Sequence, residues 1–187
     1  LDTDSPFAER FDVISEVATG FPYSISHASV VAEELVRLLK SPSPKKALIT
    51  DLDNTLWRGV LGDVGVSGIT WDLDHNSHMH ALYQQMLHGL SKSGVLIGVA
   101  SKNDIALVSS ALKREDLLLP RTCIFPLEVH WGQKSQSIAR ILKAWNIGAE
   151  SVVFVDDSPM ELDEVRSVYP ECECLLYPKY DDSAVYE

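Results

Sequence analysis

The chain alternates two textures of apolar and polar residues. Short continuous apolar runs occur at Ala47-Leu48-Ile49-Thr50, Val95–Ala100, Thr122–Phe125, Ser151–Val155 and Cys174–Tyr177. Such runs, without alternation, read as strands buried on both faces. Between them apolar residues recur every three or four positions. They are Met79, Leu82, Met86, Leu87 and Leu90, then Ile105 to Leu112, then Ile138, Ile141, Leu142 and Trp145. A last set, Leu162, Val165 and Val168, stands behind Pro159. This period lines one face of a helix, and proline suits a first helical position. Buried strands alternating with amphipathic helices predict an α/β fold, a Rossmann-like, mostly parallel sheet with helices on both faces.

Upstream, His27, Val30, Val31, Leu35, Leu38 and Leu39 recur at helical spacing between Ser26 and Lys40, behind a serine able to cap the start. The S-P-S-P stretch Ser41–Pro44 stops that helix, and residues 1–25 carry no readable period. Residues 1–44 are therefore expected to be a lead-in, and 45–187 a catalytic domain. Because the chain opens on Leu1 rather than Met, the lead-in reads as the edge of an upstream region.

Composition narrows the class. With 187 residues, 45% of them hydrophobic and 23% charged, the chain has the make-up of a soluble domain with a sizeable core. No run approaches the roughly 18 apolar residues of a membrane span, and no basic segment precedes an apolar stretch at the start. Three cysteines cannot pair completely, which argues against a disulfide framework and for a reducing, cytoplasmic setting. A net charge of −11 argues against nucleic acid or an anionic membrane as partner. The acidity is concentrated: residues 150–187 hold 2 basic and 11 acidic side chains. The acids at 161–173 and 181–187 are expected to form a solvated edge.

In open parallel sheets the ligand sits outside the carboxyl ends of the strands. The residues following the runs are Asp51-Leu52-Asp53-Asn54-Thr55, then Ser101-Lys102-Asn103-Asp104 and Asp156-Asp157-Ser158-Pro159, with His130-Trp131-Gly132-Gln133-Lys134-Ser135 ahead of a helix. Two pairs of acids at adjacent strand ends repel one another unless a cation lies between them, and a hard divalent ion such as Mg²⁺ suits oxygen ligands. With that charge neutralised, a carboxylate can attack phosphorus while Ser and Lys hold the other oxygens. Residues i and i+2 of an extended segment share a side. Asp51 can then attack as Asp53 protonates the leaving group, leaving the Asp53 carbonyl free to face the metal. The plainer alternative is that Asp, Asn and Ser stand here only as turn and cap formers.

This constellation resembles the haloacid dehalogenase (HAD) superfamily of phosphotransferases, whose four motifs all occur in order. They are D-x-D-x-T at Asp51–Thr55, the serine at Ser101, the lysine at Lys134 and the acidic pair Asp156-Asp157. The resemblance implies Asp51 as nucleophile, Asp53 as general acid/base, Ser101 and Lys134 as phosphate binders, with Lys102 and Asn103 beside them. It implies Asp51, Asp53 and Asp156 as metal ligands, with Asp157 and Thr55 just behind them. Longer strings, Asp51–Gly65, Gly94–Asp104, His130–Lys134 and Val153–Pro159, are similar to the FkbH-like branch, subfamily IIIC, over about residues 20–180. That branch implies dephosphorylation of a phosphorylated three-carbon acid, 1,3-bisphosphoglycerate, and transfer of its glyceryl unit to an acyl carrier protein in polyketide biosynthesis. Where the glyceryl-transferring members carry a cysteine in the glycine-rich loop after motif one, this chain has Leu61.

Spacing adds that the site is open. Residues 56–77, with Gly59, Gly62, Gly65 and Gly68, are too few for a cap domain and read as a small flap over a capless site. Trp57 and Trp131 adjoin motifs one and three and are candidate pocket walls, with burial in the core as the plainer reading. Arg58, on the flap, is a candidate for a substrate carboxylate or second phosphate, or else a solvated surface arginine. His75, His78 and His80 are too irregularly spaced for a zinc set and read as surface or helix-start residues. A thioester route would need Cys123, Cys172 or Cys174; the first reads as a buried strand residue, the others as thiols raised by acidic neighbours. Two rivals to glyceryl transfer stay open, a capless phosphatase of small molecules or proteins and a non-catalytic scaffold. Five convergent groups that repel or desolvate one another weigh against the scaffold.

Overall fold

The five apolar runs pair as strands of one parallel sheet in a computed structural model, which describes residues 9–39 and 44–178. They are β1 (Ala47–Thr50), β2 (Leu96–Ser101), β3 (Ile124–Val129), β4 (Val152–Asp156) and β5 (Glu173–Leu176), in the order β3-β2-β1-β4-β5. Seven helices join them in the described residues: α1 (Val13–Thr19), α2 (Ile25–Leu39), α3 (Leu61–Gly68), α4 (His78–Lys92), α5 (Ile105–Ala111), α6 (Lys134–Trp145) and α7 (Pro159–Val168). None is long and apolar enough to cross a membrane. The chain divides into two compact units, Leu1–Ser43 and Pro44–Glu187. The side chains of Leu38 and Leu39, the residues Ser41, Pro42 and Ser43, and the acids of 181–187 lie outside the described part.

Strand alternation sorts the second unit into two apolar layers. Leu48, Ile97, Val99 and Val155 pack with Tyr83 and Leu87 of α4 and Val108 and Ala111 of α5. Ala47, Ile49, Ala100 and Phe154 pack with Ile138 and Ile141 of α6 and Leu162 and Val165 of α7. Gly98 makes the second layer close-fitting, since a Cβ there would lie 2.9 Å from the Trp145 ring. Registers Thr50↔Val99, Thr50↔Val155 and Ser101↔Val129 align the strand ends. The residues that follow β1, β2 and β4 therefore emerge along one edge.

Several boundaries differ from the sequence reading, each for a local reason. The third strand starts at Ile124, because the Cys123 N–H bonds Pro120 O at 2.9 Å and closes a 3₁₀ turn over Arg121–Cys123. Pro126 is tolerated in β3 because that strand is an edge. Helix α6 begins at Lys134, its first turn masked in the sequence by polar Lys134, Ser135 and Ser137, all of them buried. Helix α1 was unreadable because it buries no residue, although its end signals are present. Asp12 accepts from the N–H groups of Ile14 and Ser15, and Gly20 closes the helix at φ 75°. Ser24 Oγ accepts from His27 N and caps α2.

The flap is a pinned excursion rather than a bare loop. It carries α3, broken at Gly65 with φ 69°, and its neck is closed by Arg58 N–H to Thr70 O and the reverse bond. Leu61 and Ile69 are fully buried in the core. Arg114 donates to Val66 O and Ile69 O and lies 4.1 Å over the Trp71 ring.

Candidate active site

The end of β1 supplies the first pair of acids. Asp51 N–H bonds Val155 O at 2.9 Å, which extends the ladder one residue past the strand. The chain then folds on itself, with the N–H groups of Thr55, Leu56 and Trp57 all turned to Leu52 O. Asn54 sits at φ 53°, a left-handed position that asparagine tolerates, and its side chain accepts from Gly59 N–H. This turn brings Trp57 back beside Asp53. The indole Nε1–H donates to Asp53 Oδ1 at 3.0 Å, and Asn103 Nδ2 donates to the other carboxylate oxygen at 2.9 Å. Burial raises the Asp53 pKa against these donors.

Lys134 is the hub. It is 1% exposed, and its Nζ lies 2.7 Å from Asp51, 2.8 Å from Asp156 and 3.0 Å from Glu161, while donating to Ala100 O. Its backbone is fixed from α7: Glu164 accepts from the N–H groups of Lys134 and Ser135 at 3.0 and 3.1 Å. A carboxylate from one helix thus caps the next, satisfying donors that a helix start leaves unpaired. Burial alone would lower the Lys134 pKa, but Asp51, Asp156 and Glu161 outweigh it and raise it. Glu161 is lowered despite burial, chiefly by Lys134, and its second oxygen takes Lys102 at 2.9 Å.

Glu161 and Glu164 correct the expectation of a solvated acidic edge. Both are partly buried and engaged, whereas Asp163, Glu171 and Glu173 are exposed. The sequence signal was their i, i+3 spacing in the first turns of a helix led by Pro159.

Asp51, Asp156 and Asp157 are all buried and each offers one oxygen within 4.8 Å of the others, the one such group of three among the described residues. Asp157 thus converges with Asp51 and Asp156. The Asp53 carboxylate falls outside. Burial and the neighbouring Asp51 raise the Asp156 carboxyl to about 7, even with Lys134 beside it. One buried cation faces more carboxylates than it can neutralise, so the donor set suits a hard divalent ion.

A pH dependence follows with a definite sign. Asp156 holds its proton further up the pH scale than an ordinary aspartic acid, and a cation must displace that proton. Mg²⁺ affinity by titration calorimetry should tighten as pH rises to about 7 and then level off. Without metal the raised value works the other way. Stability present in acid is lost as pH climbs from the ordinary value of about 3.9 towards about 7. Affinity independent of pH over that range would contradict the assignment.

The remaining candidates divide. Ser101 is buried at the end of β2, and Thr55 is fully buried, its carbonyl taking the His80 Nδ1 bond and its hydroxyl without a partner among the described residues. Asn103 donates to Asp53 through Nδ2 and accepts from Asp104 N–H through Oδ1, so it supports Asp53. Trp57 is fully buried, with its indole N–H on Asp53, while Trp131 is 75% exposed. Arg58 is exposed, and its Nη1 donates to His75 O and Asn76 O. Of the histidines, His75 pairs with Asp72 and His80 stacks on Tyr177, and no metal group forms around them among the described residues. Cys123 ends the 3₁₀ turn that leads into the amino end of β3, whereas the acids follow the carboxyl ends of β1 and β4. Cys172 and Cys174 are buried on or beside β5, and burial pushes the Cys172 thiol up to about 12.

No family model matches the sequence, and no curated protein does. Solved structures do. The N-terminal part of the protein BF1531 from Bacteroides fragilis, which contains a phosphatase domain and is complexed with Mg, shares 29% identity at a TM-score of 0.71. The match covers 92% of this chain and 47% of that one, so this chain spans about half the length of that structure. A HAD family enzyme from Bacteroides thetaiotaomicron, in complex with magnesium and inorganic phosphate, superposes at a TM-score of 0.54 with 10% identity. That match covers 77% of this chain and 100% of the other. A haloacid dehalogenase-like family hydrolase from Xanthomonas campestris reaches 0.50 at 15% identity, covering 74% and 85%. The sheet is that of the HAD hydrolases, and over 92% of its length this chain is similar to the Bacteroides fragilis phosphatase domain.

Proposed function

We propose that this chain is a magnesium-dependent phosphatase of the HAD type that works through an aspartyl phosphate on Asp51. The observation that carries it is the buried Asp51, Asp156 and Asp157 group with Lys134 at its centre. When bound there, Mg²⁺ offsets carboxylate charge and draws electron density from the phosphoryl oxygens. Asp51 attacks phosphorus and the bond to the leaving oxygen breaks. Asp53 donates the proton that oxygen needs, then takes one from the water that hydrolyses the acyl phosphate. Lys134 and Ser101 hold the phosphoryl oxygens between these steps. The same reading puts the protein in the cytoplasm, in keeping with three free thiols.

Within that chemistry we propose the phosphoglyceryl group of 1,3-bisphosphoglycerate as donor and an acyl carrier protein as acceptor. The FkbH-like strings around all four motifs support this, as does a flap too small to enclose a macromolecule. Lys102, at the rim, is 36% exposed and is the cation we assign to an acidic partner or a second anionic group. A plain phosphatase is the second reading, favoured by cysteines that all lie away from the carboxyl ends of β1, β2 and β4.

Incubation with 1,3-bisphosphoglycerate, Mg²⁺ and an acyl carrier protein, read by intact-protein mass, separates the two. Glyceryl transfer predicts a carrier heavier by one glyceryl unit. Phosphate release with an unmodified carrier would select the plain phosphatase.

A further inference from the structure

Asp53 carries the same charge as Asp51 and stands two residues from it. A carboxylate free to turn towards a divalent ion at Asp51, Asp156 and Asp157 would be drawn onto it, and a general acid bound to metal could no longer carry a proton. Yet the Asp53 carboxylate lies outside the group that converges within 4.8 Å.

Three donors hold the carboxylate where it stands, the Leu61 backbone N–H and the side chains of Trp57 and Asn103, and neither side chain can turn away. Trp57 Nε1–H takes Oδ1 at 3.0 Å. Its ring is fully buried in the core that holds Leu52, Leu56, Leu61 and Ile69, and its backbone N–H is tied to Leu52 O. Asn103 Nδ2 takes Oδ2 at 2.9 Å, and the residue is 4% exposed. Its amide is oriented by Asp104 N–H on Oδ1 at 3.0 Å, so the NH₂ group faces Asp53. Asp104 is fixed in turn, accepting from Ala106 and Leu107 at the start of α5. Each oxygen of Asp53 thus meets a donor locked from a different segment, Trp57 from the turn after β1 and Asn103 from the end of β2.

We propose that Trp57, seconded by Asn103, is a positioning residue that keeps the Asp53 carboxylate off the metal and in place for proton transfer. The catalytic half rests on the phosphatase reading; the metal half does not. Hydrogen bonds to a charged group are strong enough to hold a side chain against a competing pull. A buried tryptophan is suited to this because burial removes its rotamer freedom while leaving one directional N–H.

The test uses Trp57→Phe, which keeps a buried ring and removes the N–H, and Asn103→Ala, which spares the core should the first fail to fold. Mg²⁺ affinity is measured by calorimetry and turnover on a phosphate ester in parallel. Either variant should bind Mg²⁺ roughly tenfold tighter, because the freed carboxylate joins the ligands. Its kcat should fall roughly a hundredfold with KM nearly unchanged. Adding Asp53→Asn to either should restore wild-type Mg²⁺ affinity, whereas Asp53→Asn alone should leave it unchanged. Affinity equal to or weaker than wild type in both variants, or a gain that survives Asp53→Asn, would overturn the proposal. The restored-affinity pattern in a protein inactive on every phosphate ester would uphold the clamp and sink the phosphatase reading instead.

Discussion

Asp51→Asn should abolish Mg²⁺-dependent phosphate release, lowering turnover by roughly a thousandfold or more, while the protein stays folded. The amide matches the carboxylate in size but cannot attack phosphorus to form an acyl phosphate. Folding should survive because Lys134 keeps Asp156 at 2.8 Å and Glu161 at 3.0 Å as counter-charges. The change also relieves Asp156 of a like charge that holds its carboxyl up. A steady-state phosphate assay alongside thermal melting checks both halves. Near-normal turnover in a folded variant would remove Asp51 as nucleophile, and loss of folding would point to a structural role.

Replacing Lys134 acts on stability as strongly as on rate. Lys134→Met keeps much of the volume and removes the charge, leaving Asp51, Asp156 and Glu161 around an apolar side chain. Breaking a buried ion pair from one side typically costs about 3–5 kcal/mol, and here several partners lose the same cation. The metal-free variant should melt well below wild type at neutral pH. It should recover in mild acid, where Asp156 takes up its proton, and recover again with Mg²⁺, which restores positive charge to the cluster. Activity should fall roughly a hundredfold or more even with saturating Mg²⁺. Melting curves at several pH values, with and without the ion, test this directly. A melting point equal to wild type in all of them would mean that Lys134 is not the charge that holds the cluster together.

How much of this was legible follows from which physical signal each part leaves. Strands β1, β2 and β4 are buried almost throughout and leave unbroken apolar runs, whereas the edge strands β3 and β5 keep apolar runs although Phe125, Leu175 and Leu176 are exposed. Strand ends slipped where a polar residue still pairs, as Asp156 does opposite Leu176. Helix α6 hid its first turn because Lys134, Ser135 and Ser137 are polar by type and buried in place. Asp51, Asp53, Ser101 and Asp156 could be placed along one edge because they end or follow β1, β2 and β4 of a parallel sheet, whereas Lys134 heads α6 and stood out only through its motif. Glu161 and Glu164 were not, since an acid contacting a lysine 27 or 30 positions away is indistinguishable by type from one facing water. Trp57 shows the same limit from the other side. Adjacency to a motif did not say which way the ring points, and it points into the core with only its N–H turned to Asp53.

The most direct measurement is whether phosphorus ever becomes bonded to Asp51. Enzyme mixed with Mg²⁺ and a reactive phosphoryl donor is quenched in acid, weighed intact and mapped by peptide mass. A single phosphoryl group on the peptide carrying Asp51, absent when Mg²⁺ is chelated and absent in Asp51→Asn, is the predicted result. Phosphate release that proceeds with no label on Asp51, or with label on another residue, would contradict it.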